Sequence, residues 1–220
     1  MIAIKRFIPI TIILFVLFQS CNITQEYTFN KDFSGTSNLE IDMSAMVGML
    51  GGVDSSKSLT AIDTLSQSLK KIAEEFEKLG AKNIKFGDKN NKMILFISYE
   101  FDNIDVLNKV ISANGTNMLN SNFTDTTAEK AKFIQKGKYK LIYIAPKIKN
   151  DTLLHNKDME AMKDYYNYTL KFNFATKIKK LKSEKATLSS NKKTIQFSGS
   201  VFDVFSPDYS TNFKLKLKHK

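Results

Sequence analysis

The chain predicts a single α+β domain, a mostly antiparallel sheet carrying two main helices. Two patterns predict it. Short segments with period-two alternation come in pairs separated by turn residues, and two longer segments carry apolar residues at spacings of three and four. The order reads as two strands, a helix, two strands, a helix, two strands and then a strand-rich remainder, which is the signature of α+β rather than of a parallel doubly wound fold. No internal repeat and no linker divides the chain.

Tyr27 to Phe33 (YTFNKDF) alternates like a strand, Ser34-Gly35 is a turn signal, and Asn38 to Met43 (NLEIDM) alternates again, so the three form a hairpin by pattern. Ser44 to Leu50 (SAMVGML) suits a short Met-rich helix, and Gly51 to Ser58 (GGVDSSKS) reads as a flexible loop. In the next segment Leu65, Leu69, Ile72, Phe76 and Leu79 make one apolar helical stripe. Thr64, Ser68, Lys71 and Glu75 line the opposite face, and Gly80 supplies the stop. Ile84 to Phe86 and Met93 to Phe101 read as strands joined by a turn around Asp88 to Asn91. Asp102 or Asn103 caps a second helix carrying Ile104, Leu107, Val110 and Ile111, which ends at Asn114-Gly115. Residues 116–130 are polar loop. Lys132 to Gln135 and Tyr139 to Ala145 flank Gly137 as a hairpin that Pro146 ends. Lys147 to Lys163 fits a loop, with a short helix near Met159 to Tyr165. Strands return at Tyr168 to Phe174, Thr187-Leu188, Thr194 to Ser200 and Asn212 to Leu217.

The N-terminus reads as an export signal. Lys5 and Arg6 are a positive n-region, and Phe7 to Phe18 (FIPITIILFVLF) is an apolar h-region of 12 residues. That is short of the roughly 20 apolar residues a transmembrane helix needs, and Pro9 interrupts its start. An ordinary secretory signal closes with a small-x-small cleavage site, and Phe18-Gln19-Ser20 lacks the first small residue. A third reading remains: Ser20 places a small residue directly before Cys21, the only cysteine, in the relaxed form of lipobox common in Bacteroidota-type bacteria. On this reading residues 1–20 are a lipoprotein signal peptide, Cys21 is the acylated mature N-terminus, 21–26 is a short lipidated tether and 27–220 is the domain. Each buried methylene of an acyl chain contributes about 0.8 kcal/mol, so two or three chains on one cysteine anchor a protein stably.

The 200 residues from Cys21 onward suffice for one good core. With Cys21 modified no disulfide is possible, so packing alone must hold the fold in an oxidising envelope. This part of the chain has 31 basic and 22 acidic residues, and every basic residue is Lys. The charge is uneven: residues 21–129 carry a net −5 and residues 130–220 a net +14. An export signal and the lack of Arg for bidentate recognition argue against nucleic acid as the partner. Anionic lipid headgroups suit such a surface, and so does a merely solvated face.

Few residues offer chemistry. The two histidines, His155 and His219, have no second cysteine to join them at zinc spacing. No serine stands in a G-x-S-x-G context, and Gly48, Gly51 and Gly52 lack the lysine of a phosphate loop. Asp102 and Asp105 are close in sequence, but capping accounts for Asp102. Met43, Met46 and Met49 form a cluster that packing explains better than a soft metal. No cofactor is expected. Asp63-Thr64, Asp125-Thr126 and Asp151-Thr152, each followed by an apolar residue or Thr, resemble the O-glycosylation sequon of exported Bacteroidota-type proteins, which makes Thr64, Thr126 and Thr152 candidate glycan carriers.

Two stretches resemble a family. YTFNKDFSGTSNLEIDMSAM (Tyr27 to Met46) is similar to the start of uncharacterised Bacteroidota-type lipoproteins, which share a strand-turn-strand F-N-x-D-x-S-G followed by D-M-S. LKFNFATKIKKLKSEKATLSSNKKTIQFSGSV (Leu170 to Val201) resembles their C-terminal block, and it is also similar to the LppM-type domain of mycobacterial lipoproteins. Where family members often carry Pro after the strand, this chain has Ala175. The LppM resemblance implies an α+β envelope domain with lipid binding and brings no catalytic residues. The expected protein is therefore non-enzymatic: a lipid-anchored cell-envelope protein that binds or scaffolds at the membrane surface. A carrier or sensor of an amphipathic ligand such as a glycolipid is the second reading, and a hydrolase the third. Its expected partners are the membrane, through acyl chains on Cys21, and a lipid or envelope protein. Its expected place is the outer membrane, facing the periplasm, because Asn22 to Glu26 holds a single acid where surface-exposed lipoproteins carry an acidic export signal.

Overall fold

The structure is a computed structural model that describes residues 21–44, 55–90, 93–117, 130–146, 166–204 and 209–219. Its elements are β1 (Cys21–Phe29), β2 (Gly35–Asp42), α1 (Ser55–Lys78), β3 (Lys82–Lys89), β4 (Ile94–Phe101), α2 (Ile104–Asn117), β5 (Lys132–Lys136), β6 (Lys140–Ile144), β7 (Tyr166–Phe174), β8 (Ile178–Lys182), β9 (Thr187–Leu188), β10 (Thr194–Ser200), α3 (Val201–Val204) and β11 (Phe213–Leu217). They form one α+β domain. A seven-stranded sheet runs β3-β4-β2-β1-β7-β10-β9, and a four-stranded sheet runs β5-β6-β11-β8. Every pairing is antiparallel except β1 with β7, which is parallel from Cys21 opposite Tyr166 to Phe29 opposite Phe174.

One face of the large sheet is apolar because alternate residues share a face. Tyr27 and Phe29 on β1, Ile97, Tyr99 and Phe101 on β4, Leu170, Phe172 and Phe174 on β7, and Ile195 and Phe197 on β10 are all buried there. Two layers cover this face. Helices α1 and α2 pack over β3 and β4, with the Phe76 ring edge-on to Tyr99 at 5.1 Å. The small sheet lies over the other half: Phe133 meets Tyr27 at 5.4 Å, while Tyr143 and Phe213 meet Phe172 at 5.1 and 4.8 Å. The two layers are clamped together by Asn108 of α2, whose Nδ2 donates to the Phe133 carbonyl at 2.9 Å and whose Oδ1 accepts from the Phe133 N–H at 2.7 Å.

Four of the five expected stripe positions are described on and just after α1: Leu69, Ile72 and Phe76 are buried and Leu79 is partly so, while the side chain of Leu65 lies outside the described residues. The helix stops as Gly80 requires. Gly80 takes φ 97°, the Ala81 N–H donates to the Phe76 carbonyl at 3.0 Å and the Gly80 N–H to the Glu77 carbonyl at 3.0 Å, which satisfies two otherwise orphaned carbonyls. At the start of α2 it is Asn103 that caps, its Oδ1 accepting from the Val106 N–H at 3.0 Å. Asp102 instead forms an ion pair with Lys82 at 2.5 Å.

Four expectations are corrected. The tether expected at 21–26 is not a tether: β1 starts at Cys21 and ends at Phe29. Gln25 interrupts the apolar alternation, yet it sits buried because its Nε2 donates to Ser37 Oγ at 3.0 Å. The turn falls at Asn30 to Ser34 rather than at Ser34-Gly35, and Gly35 opens β2. The loop expected to run to Ser58 gives way to α1 at Ser55. Strand β8 (IKKLK) was not expected at all, since its lysines mask its alternation. The Met-rich helix at 44–50 lies outside the described residues beyond Ser44, and the expected short helix near Met159 to Tyr165 lies outside them entirely.

Candidate functional site

Cys21 opens β1, with β2 on one side (Asn22 opposite Asp42) and β7 on the other (Cys21 opposite Tyr166). Period two places Cys21 on the same face as Gln25, Tyr27 and Phe29. The residue is 6% exposed. Its thiol is pushed up to about 11, first by burial and then by the negative charge of Asp42. Burial, and then the proximity of Cys21, raises the Tyr166 phenol in turn. A thiol in that state is protonated at neutral pH and is a poor nucleophile. In the folded domain Cys21 is therefore chemically quiet.

Beside this end of the sheet lies a polar seam that composition does not reveal. Gln25 donates to Ser37 Oγ and, at 3.3 Å, to the Asn38 carbonyl. Tyr99 hydrogen-bonds with Ser37, and Tyr143 with Thr211. The phenols of Tyr27, Tyr99, Tyr143 and Tyr168 are all raised, foremost by burial. Here the signal in the sequence was weak: tyrosines alternating with phenylalanines on β1 and β7 mark positions where a ring is wanted and a partner for its hydroxyl is at hand.

The remaining candidates are dispersed. Thr64 lies in α1, and its side chain is outside the described residues, as are Thr126, Thr152, Met46, Met49 and His155. Met43 is buried in the core. His219 lies against the Tyr139 ring at a centroid distance of 3.9 Å. Asp105 borders a cavity of about 480 Å³ between the start of α2 and β5, shared with Asn103, Phe133, Ile134, Gln135 and Gly137. Among the described residues no three His, Cys, Asp or Glu side chains come together as a metal site, and no helix is long and apolar enough to cross a membrane.

No family model matches the chain, and no curated protein matches it by sequence. Among solved structures, the NMR structure of the folded domain of LppM from Mycobacterium tuberculosis is similar with a TM-score of 0.42 at 10% identity, over 92% of this chain and 91% of that one. Likeness at that level assigns neither a family nor a function. The resemblance to Bacteroidota-type lipoproteins accordingly rests on the two quoted stretches alone.

Proposed function

We propose that this chain is a lipoprotein whose domain is held at the surface of the outer membrane, on the periplasmic side, and serves there as a non-enzymatic binding or scaffolding module. One observation carries the reading: the residue that closes the signal-like N-terminus, Cys21, is also the first residue of a central strand. Acyl chains at that position attach to the sheet itself with no intervening linker. The quiet thiol fits the order of events such a protein needs, with acylation of the exported, unfolded chain preceding the closing of the sheet. A binding surface is favoured over a carrier's pocket because rings fill the described core: Phe29, Phe133, Phe172 and Phe197 are fully buried between the sheets.

Membrane fractionation of Cys21→Ala tests the reading. The variant is expected in the soluble fraction, and its retention on membranes after a high-salt wash would sink the proposal. Protease treatment of intact cells tests the leaflet: digestion without permeabilising the outer membrane would place the domain on the cell surface instead.

A further inference from the structure

The outward face of the small sheet is a field of lysines. Its inward side chains are fixed by burial, since Phe133, Leu141, Tyr143, Phe213, Leu215, Leu217 and Ile178 all turn to the core. The alternate residues therefore face out, and the strand register sets them in rows. Lys136 stands opposite Lys140, Lys140 opposite Lys216, and Lys216 opposite Lys180, so four lysines cross four strands in one line. The next row holds Ile134, Ile142, Lys214 and Lys182, and Lys132 and Ile144 begin a third. Neither ion pair among the described residues, Lys82 with Asp102 and Lys89 with Glu40, involves this face.

Such a face does not arise from fold requirements. Like charges directly opposite on neighbouring strands destabilise a sheet. Lysines are commonly placed on edge strands to block aggregation, but β6 and β11 are interior strands, and they carry Lys140, Lys214 and Lys216. A surface that concentrates mutual repulsion in the middle of a sheet is relieved by an anion laid across it. All seven side chains are Lys, a hydrated point charge suited to a diffuse anionic surface rather than to bidentate recognition of one group. The half-buried Ile134, Ile142 and Ile144 add an apolar strip between the ammonium groups, as on a surface that settles at a membrane interface.

We infer that this lysine face docks flat on the anionic lipid headgroups of the membrane that holds the protein. The choice of a membrane rests on the anchoring reading and on one geometric fact. By strand alternation the side chain of Cys21 lies on the face of the large sheet that the small sheet covers. On the anchoring reading the attachment point thus lies on that face of the large sheet, and the lysine face is the outer face of the sheet stacked on it.

Lysine footprinting of the lipidated protein tests this. The protein is purified from membranes and reconstituted into vesicles of phosphatidylcholine alone, or with about 30% phosphatidylglycerol. It is then acetylated briefly and read by mass spectrometry residue by residue. On anionic vesicles Lys132, Lys136, Lys140, Lys180, Lys182, Lys214 and Lys216 are expected to react roughly fivefold more slowly than on neutral ones, with the difference erased near 0.5 M salt. Lys70, Lys71 and Lys109 on the helices serve as references and are expected to react alike on both. Equal labelling of the face on both vesicles overturns the inference. Protection by soluble polyphosphate but not by anionic vesicles overturns the membrane assignment and makes the partner a soluble polyanion. Failure of the protein to float with any vesicle counts against the anchor alone. The same footprint with anionic vesicles in excess then still decides the face, and absence of protection there overturns it.

Discussion

At the scale of single residues, the hairpin that starts the domain depends on one missing methyl group. A Cβ on Gly35 would lie 1.9 Å from the Thr28 carbonyl oxygen and 3.0 Å from the Phe101 ring. Backbone on one side and a buried ring on the other leave it no room. Gly35→Ala is expected to cost about 2–4 kcal/mol, read as a fall in the urea midpoint. Gly137 sits in the β5–β6 turn at φ 65° with nothing within 4 Å, so Gly137→Ala meets only the left-handed backbone penalty of about 1 kcal/mol. The phenols of buried Tyr27, Tyr99 and Tyr143 and of half-buried Tyr168 make a second prediction, about pH. Their folded-state pKa values are raised above the unfolded value near 10, so the folded chain keeps protons that the unfolded chain releases. Their contribution is intact below about pH 10 and is lost as pH rises beyond it, at about 1.4 kcal/mol per pH unit for each phenol. Tyrosinate absorbance is therefore expected to appear together with loss of circular dichroism in one steep alkaline transition. A gradual titration of these tyrosines in a still-folded protein would contradict their burial.

At the scale of elements, Phe172 is the hub of the ring cluster that joins the small sheet to the large one, which Phe133 also joins by packing on Tyr27 and Phe29. Phe172 on β7 is fully buried and meets Tyr27, Phe133, Tyr143, Phe197 and Phe213 with centroids 4.8 to 6.2 Å apart. Phe172→Ala is expected to cost about 3–5 kcal/mol, and Phe172→Leu clearly less, by chemical denaturation. The hairpins and helices were legible because each states its own period: Leu69, Ile72 and Phe76 announce α1, and Gly137 announces the β5–β6 turn. What was not legible is what depends on distant partners. Gln25 looks like tether until Ser37 is seen to receive it. The alternation of β8 is hidden by Lys179, an extra residue at the irregularity where the register with β11 shifts. Of the candidate site, Cys21 stood out because of the signal-like segment in front of it, but its place beside Tyr166 was not legible, since nothing local in either segment names the other. The lysine excess of residues 130–220 was equally plain. Only the alternation Lys214-Leu215-Lys216-Leu217 hinted that it is sorted to one face.

At the scale of the whole molecule, charge is distributed against stability. Rows of lysines on neighbouring strands repel, while the described ion pairs, Lys82 with Asp102 and Lys89 with Glu40, are exposed and contribute little. Added sodium chloride is therefore expected to raise the urea midpoint of the protein in detergent, because screening over about 10 Å at 0.1 M weakens the repulsion more than it weakens the pairs. A midpoint that falls with salt would show that attraction, not repulsion, dominates the surface.

The parallel pairing of β1 with β7 also sets a timetable. A strand at the very start of the domain lies between β2, which follows it at once, and β7, which begins 145 positions later at Tyr166. On the proposed reading of an exported chain, the hairpin of β1 and β2 would emerge early from the translocation channel, and β4 and β3 could add to it. The inner edge of β1, with its row of unpaired amides and carbonyls, then stays open until most of the chain has crossed. A lipidated Cys21 would hold that open edge at the membrane throughout the wait. Tethering keeps neighbouring copies in the same plane, where exposed edges meet one another most readily. Cells that exported this protein quickly would thus have reason to escort it until its last quarter arrives.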